Sequence, residues 1–244
     1  MSADYRWLVL RMEAPLLAFG GVAIDQVGIT GDFPAASMLT GLLANALGWR
    51  RTEWLAHQEL QDRLVFAARR DRENSNSVLT DMQNAQLEKN DRGWTTYGTP
   101  EGRAGASYMA PHRRQRDYHA DACVTVVLRL DPAADSPDLD AIAAALDRPA
   151  RPLFIGRKPC LPSCPLRVGS VHAPSAYEAL RSIPAIDKPL HPLRALWPQT
   201  EGPTEGRQVH RIVALPDLRN WKTGLHGGTR LVVEGTVEAE GVPA

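Results

Sequence analysis

The chain has 244 residues, with 28 Lys/Arg against 28 Asp/Glu, 43% hydrophobic and 23% charged residues. That length buries a core in one large or two small domains, and the balanced charge excludes an indiscriminate polyanion binder while allowing one basic face. No apolar run approaches a membrane span and MSADYRWLVL has no basic region before a long apolar one, so a cytoplasmic protein with no membrane partner is expected.

Residues 5–12, YRWLVLRM, alternate as a strand, with Tyr5, Trp7 and Val9 on one side and Leu8, Leu10 and Met12 on the other. Pro15 is expected to end it, and Gly20-Gly21 to open a loop running to Asp32. Met38, Leu39, Leu42, Leu43, Ala46 and Leu47 recur at helical spacing, which predicts a helix over Pro34–Leu47 closed by Gly48. Its N-terminus is expected to present free N–H groups beside the loop, where a phosphate can bind. A second helix is expected over Thr52–Gln61, then strands over 63–70 and Val78–Gln83.

Residues 84–119 lack periodicity and read as an insertion. Arg103, Arg113, Arg114 and Arg116 lie there with no acid between the first and the last, among Tyr108 and His112. Cations interleaved with aromatic rings suit a single-stranded nucleic acid, and equally a solvated arm. ACVTVVLRL (122–130) is a strand broken by Asp131-Pro132. Ser136-Pro137 predicts a helix start with Ser136 as N-cap and Leu139, Ile142, Ala143 and Leu146 as its buried stripe.

Leu153-Phe154-Ile155 reads as a buried strand end running into Gly156, with Arg157 and Lys158 following and Pro159, Pro162 and Pro165 stiffening the exit. From Arg148 to Arg167 there are five Lys/Arg and no Asp/Glu. A glycine turn with adjacent cations is what a phosphate backbone needs; a Pro-rich surface loop with solvated charges has the same composition. Further on, a short strand after 168, a helix capped by Ser175 with Glu178, a Pro/Gly-rich stretch (184–206) and strands near Arg211–Leu215 and Arg230–Glu234 complete the chain.

In order, the pieces approximate an α+β fold with a βαββαβ, ferredoxin-like (RRM-like) core. Residues 1–170 are read as that core and 171–244 as a smaller β-rich extension. Cys123, Cys160 and Cys164 are an odd count without paired C-x2-C motifs and read as thiols in a reducing compartment; neither metal nor cofactor is implied.

The loop IGRKPCLP resembles the strand–Gly–Arg–Lys/Arg–x–Cys–Pro loop of the CasD-type subunits of Cascade, the RNA-guided surveillance complex of type I-E CRISPR systems. LRMEAPLLAFG (10–20), GDFPAASMLTGLLANALG (31–48) and RDYHADACVTVVLRL (116–130) extend that resemblance. It implies a non-catalytic, RAMP-like subunit that binds and caps the 5′ handle of crRNA for antiviral defence. It also implies that the insertion is a thumb-like β-hairpin arm. The partners would be crRNA, the large subunit and the adjacent backbone subunit, with target DNA near the complex.

On this reading Arg157 and Lys158, next to Gly156, hold the sugar–phosphate chain. Arg113, Arg114 and Arg116 attract RNA along the arm, and Tyr108 or His112 stacks. Gln26, Phe33 and Ser37 read splayed handle bases. The family pattern Thr–Lys/Arg–Ser after the proline is here Ala35-Ala36-Ser37. The alternative is a metal-independent endoribonuclease. The Tyr-His or Phe-His pair that many type I-E members carry after the strand near residue 80 is here Thr80-Asp81-Met82-Gln83-Asn84, which leaves Tyr118-His119 as the substitute.

Overall fold

A computed structural model describes residues 4–21, 26–73, 78–86, 111–187 and 191–239. In chain order the elements are β1 (Tyr5–Leu17), β2 (Val27–Gly28), α1 (Ala36–Leu47), α2 (Trp54–Arg63), β3 (Leu64–Arg72), β4 (Val78–Ala85) and β5 (His112–Leu130). They continue with α3 (Leu139–Asp147), β6 (Arg167–Ala173), α4 (Ala176–Ser182), β7 (Leu193–Pro198), β8 (Val209–Leu215) and β9 (Arg230–Val237). The strands make one sheet in the order β6-β1-β5-β3-β7-β9-β8, antiparallel throughout this path. β2 and β4 pair with β5 off it, β2 in parallel.

Period-two alternation gives the sheet two apolar faces, and helices cover both. Leu8, Leu10 and Met12 of β1, with Val124, Val126 and Leu128 of β5, pack beneath Leu39 and Leu43 of α1 and Ile142 and Leu146 of α3. Trp7, Val9 and Val127 point the other way, against Ala176, Ala179 and Leu180 of α4. The last turn of α4 leaves carbonyls without helical partners. The fully buried Arg69 of β3 fills that need, donating to the Leu180, Ile183 and Pro184 oxygens while its Nε meets Asp71 at 2.7 Å.

Several boundaries differ from the sequence reading. β1 continues through Pro15, because β6 pairs with it only as far as Leu10 and leaves that edge free of the ladder a proline cannot join. The N-cap of α3 is Asp138, whose side chain accepts from the Ala141 amide at 2.8 Å, and not Ser136. Residues 152–155 are not a strand, since Ile155 bonds locally to Cys160 and to the end of β1. The strand that flanks β1 is β6. β7 lies inside the Pro/Gly-rich stretch, bounded by Pro192 and Pro198, and carries the sheet from β3 to β9. Of the predicted insertion 84–119, residues 87–110 lie outside the described part and His112 onward is already β5.

Candidate nucleic-acid interface

The glycine turn is built against the end of β1. Gly156 has φ +83, and a Cβ there would sit 1.7 Å from the Ala18 carbonyl oxygen, so only glycine fits. The Ala18 amide donates to the Ile155 oxygen at 3.3 Å. Ile155 N bonds Cys160 O at 2.8 Å and Cys160 N bonds Arg157 O at 2.9 Å, closing the turn on itself.

Arg157 leaves this turn and is clamped in place. Its Nη1 donates to Asp117 O at 2.8 Å, and its Nη2 to Gly28 O at 2.9 Å and Ile29 O at 3.2 Å. The guanidinium lies 4.9 Å from the Tyr118 ring centroid. Arg116, one residue before Asp117 on β5, donates from Nη1 to Gln26 O and Gln115 O. Both guanidinium groups pass over Gly28: a Cβ there would stand 3.0 Å from Arg116 and 3.1 Å from Arg157 Nη2. Carbonyls orient these cations without neutralising them, and neither has a carboxylate partner among the described residues. Two uncompensated charges side by side favour an anion between them.

They form one wall of a groove of about 500 Å3 that runs over the outer face of α1 at Ser37, Gly41 and Asn45. Gly156, Arg157, Arg116 and Ser37 of the predicted set therefore share one surface. Lys158 is exposed at the next position of the turn. Arg113 is exposed and Arg114 half-buried further out on β5, opposite Asn84 and Gln83 of β4. Gln26 is exposed, and its backbone oxygen also accepts from Gln115 N. Tyr108 and the side chain of His112 lie outside the described residues.

Two expectations are corrected. The N-terminus of α1 is not open: Ala36 N donates to Asp217 Oδ2 at 3.0 Å and Ser37 N to Asp217 O at 3.1 Å. Asp217, held in turn by Arg230, occupies the place foreseen for a phosphate. Phe33 is only 9% exposed and packs in the core with Arg194 5.7 Å from its ring centroid, which leaves little ring for stacking on a base.

A profile of the family described as CRISPR-associated protein (Cas_Cas5) matches residues 7–233. The chain belongs to the Cas5 family. It is 30% identical over 174 residues to the CRISPR system Cascade subunit CasD of Escherichia coli (strain K12), covering 71% of this chain and 75% of that protein. A chain of a CRISPR RNA-guided surveillance complex superposes with a TM-score of 0.68 at 22% identity, over 96% of this chain and 90% of that one. A structure described as a Cas protein superposes with a TM-score of 0.60 at 26% identity, over 97% and 100%.

His119, the substitute base of the ribonuclease alternative, is 1% exposed in this Cas5 chain. Its Nε2 donates to Gly31 O at 2.8 Å, its Nδ1 faces Arg70 Nη2 at 3.5 Å, and its ring leans on Phe19. Burial pushes the imidazole below its ordinary value, with Arg70 adding to that, and the Gly31 bond and Asp32 only partly offset it. The unfolded chain therefore binds the proton more readily than the folded one. His119 is expected to reduce stability as pH falls below its ordinary value of about 6.5, by up to about 1.4 kcal/mol per pH unit. Urea denaturation between pH 7 and 5 checks this: H119Q, which keeps a donor for Gly31, should lose less stability on acidification than the parent. Equal slopes would show that His119 does not titrate in that window.

The sequence reading missed two further residues of the groove. Arg219 and Trp221 line it, on a segment joining β8 to β9. LRNWK (218–222) carries the same cation-and-aromatic composition that singled out residues 103–116, and that signal was available.

Proposed function

We propose that this Cas5-family chain is a non-catalytic subunit of a type I CRISPR surveillance complex, Cascade, that binds and caps the 5′ handle of crRNA. The observation that carries this reading is the convergence of Arg116 and Arg157 over Gly28, beside the Gly156 turn and without a carboxylate. Among the described residues Arg157 keeps its Nε and one Nη1 hydrogen for a phosphate, and Arg116 keeps its Nε and Nη2, in geometries already fixed by the protein. Lys158, Arg113 and Arg114 extend the positive field along the turn and the outer part of β5, and stacking is assigned to Tyr108 or His112, whose side chains lie outside the described residues. Ser37 lines the groove, and Gln26 adjoins it through the bond of its backbone oxygen to Arg116; both are assigned to splayed handle bases, while Phe33 backs the helix start.

The order β6-β1-β5-β3 with α1 and α3 on one face supports a ferredoxin-like core, and the β4–β5 ladder supports the root of a thumb-like arm. Residues 171–244 then form the smaller β-rich part, which extends the same sheet. The large subunit and a backbone subunit dock elsewhere, close to target DNA, in the cytoplasm. His119 supports the non-catalytic assignment, because a buried imidazole with both nitrogens engaged cannot take a proton from a 2′-hydroxyl.

Incubating the purified protein with labelled repeat RNA, read on one gel, tests the reading. The expected result is a shift of RNA ending in the cognate handle, with no cleavage, and no comparable shift of scrambled RNA. Cleavage resistant to EDTA would replace this function with the ribonuclease.

A further inference from the structure

We propose that Arg219, which lines the same groove as Arg116 and Arg157, and its neighbour Arg51 form a second phosphate-binding point for the same RNA strand. This rests on the reading that RNA lies in that groove.

Arg219 lines the groove, yet its Nε is buried without a hydrogen-bond partner among the described residues. Its guanidinium has no carboxylate partner among the described residues and lies 5.2 Å from the Trp221 ring centroid. Burial, and then the like charge of Arg51, depress its proton affinity. The two arginines meet at Gly224 (φ +78), where a Cβ would stand 3.2 Å from Arg219 Nη2 and 3.5 Å from Arg51 Nη2. A glycine thus admits two cations to one spot, and the free protein bears their repulsion. A phosphodiester bridging them supplies negative charge and several acceptor oxygens, relieving both the repulsion and the idle donors.

The segment is fixed firmly enough to serve. Gln61 of α2 donates to Arg219 O at 2.9 Å and accepts from Arg219 N and from Trp221 Nε1, each at 3.1 Å. Gln58 accepts from Trp221 N at 3.2 Å. The Trp221 ring, 4.7 Å from that of His57, reaches across α1 to within 3.6 Å of where a Gly41 Cβ would be. The C-terminal segment is thereby a strap over α1, and a strand in the groove meets Arg219 as well as Arg116 and Arg157.

The test measures binding of the full-length protein to a fluorescent single-stranded repeat RNA by anisotropy across a KCl series. Each lost phosphate contact lowers the slope of log affinity against log salt by about 0.7. R219Q and R51Q are each expected to lower it by about that amount and to weaken binding. R211Q, which removes an exposed arginine paired with Glu234, should leave it unchanged. Thermal melts identify any loss of fold in R219Q; Arg51 is exposed, so R51Q then decides alone. Parental slope and affinity in R51Q and in folded R219Q would overturn this inference while leaving the proposed function standing. Absence of RNA binding by the parent protein would overturn both.

Discussion

Replacing Gly156 by alanine is expected to destabilise the protein by roughly 3–5 kcal/mol and to abolish handle binding. A left-handed backbone alone costs an L-residue about 1–2 kcal/mol. The larger part comes from the new Cβ, placed 1.7 Å from the carbonyl oxygen of Ala18. That atom is main chain at the buried end of β1, where Ala18 is 1% exposed, and no side-chain rotation can clear it. The turn has to lift, which breaks the Ala18–Ile155 hydrogen bond and drags Arg157 from the Gly28, Ile29 and Asp117 carbonyls. Urea denaturation and RNA anisotropy check the two effects. G169A is the comparison, because a Cβ on Gly169 meets nothing within 4 Å. If G156A and G169A unfold at the same urea concentration, the close approach of the turn to β1 is not as described.

The second large effect belongs to Asp217. Its carboxylate accepts from Ala36 N at the start of α1 and from Arg230 Nε and Nη2 at 2.8–3.0 Å. Arg230 and Asp217 side chains are 17% and 7% exposed, and the Arg230 guanidinium lies 4.2 Å from the Phe66 ring centroid. D217N leaves that cation without its counter-charge and weakens the cap of a helix whose N-cap, Ala35, has no side-chain acceptor. Breaking a buried pair from one side costs about 3–5 kcal/mol, and a lost cap about 1 kcal/mol. Asparagine keeps one acceptor, so a loss of about 3 kcal/mol is expected in urea denaturation, with faster hydrogen exchange at Ala36 and Ser37. A loss under about 0.5 kcal/mol, the range of ordinary surface changes, would show that the pair is not structural.

Asp217 also shows where sequence reading stops. The stripe Leu39, Leu43 and Ala46 announces α1, and Gly48 in the left-handed conformation ends it as expected. The cap, however, arrives from 181 residues away, and no local pattern encodes it. The alternation of YRWLVLRM correctly divides β1 between two cores because each side chain's face follows from position alone. Leu153-Phe154-Ile155 has the composition of a strand, but a strand needs a neighbour, and β1 takes β6 instead.

Gly156 was legible because an unusual backbone leaves a mark on residue type. That Arg157 divides its donors between the protein's own carbonyls and the groove was not legible, since both uses call for the same residue. Arg116 and Gly156 were each singled out from separate stretches, and only the fold brings them to one surface.

β5 is a single strand of 19 residues that begins opposite β4 and ends in the middle of the sheet. At about 3.4 Å per residue it is roughly 60 Å long. Arg113, Arg114 and Arg116 therefore stand on the same unbroken beam as Val124 and Val126. Just past the end of its pairing with β3, and while β1 still pairs with it as far as His119, the beam bears one residue at positive φ, Asp121. The strand pairing nevertheless continues across Asp121, so a pull on its outer end is passed along the same strand to the apolar interior. A guide strand seated along it would be measured against the body of the protein as against a ruler.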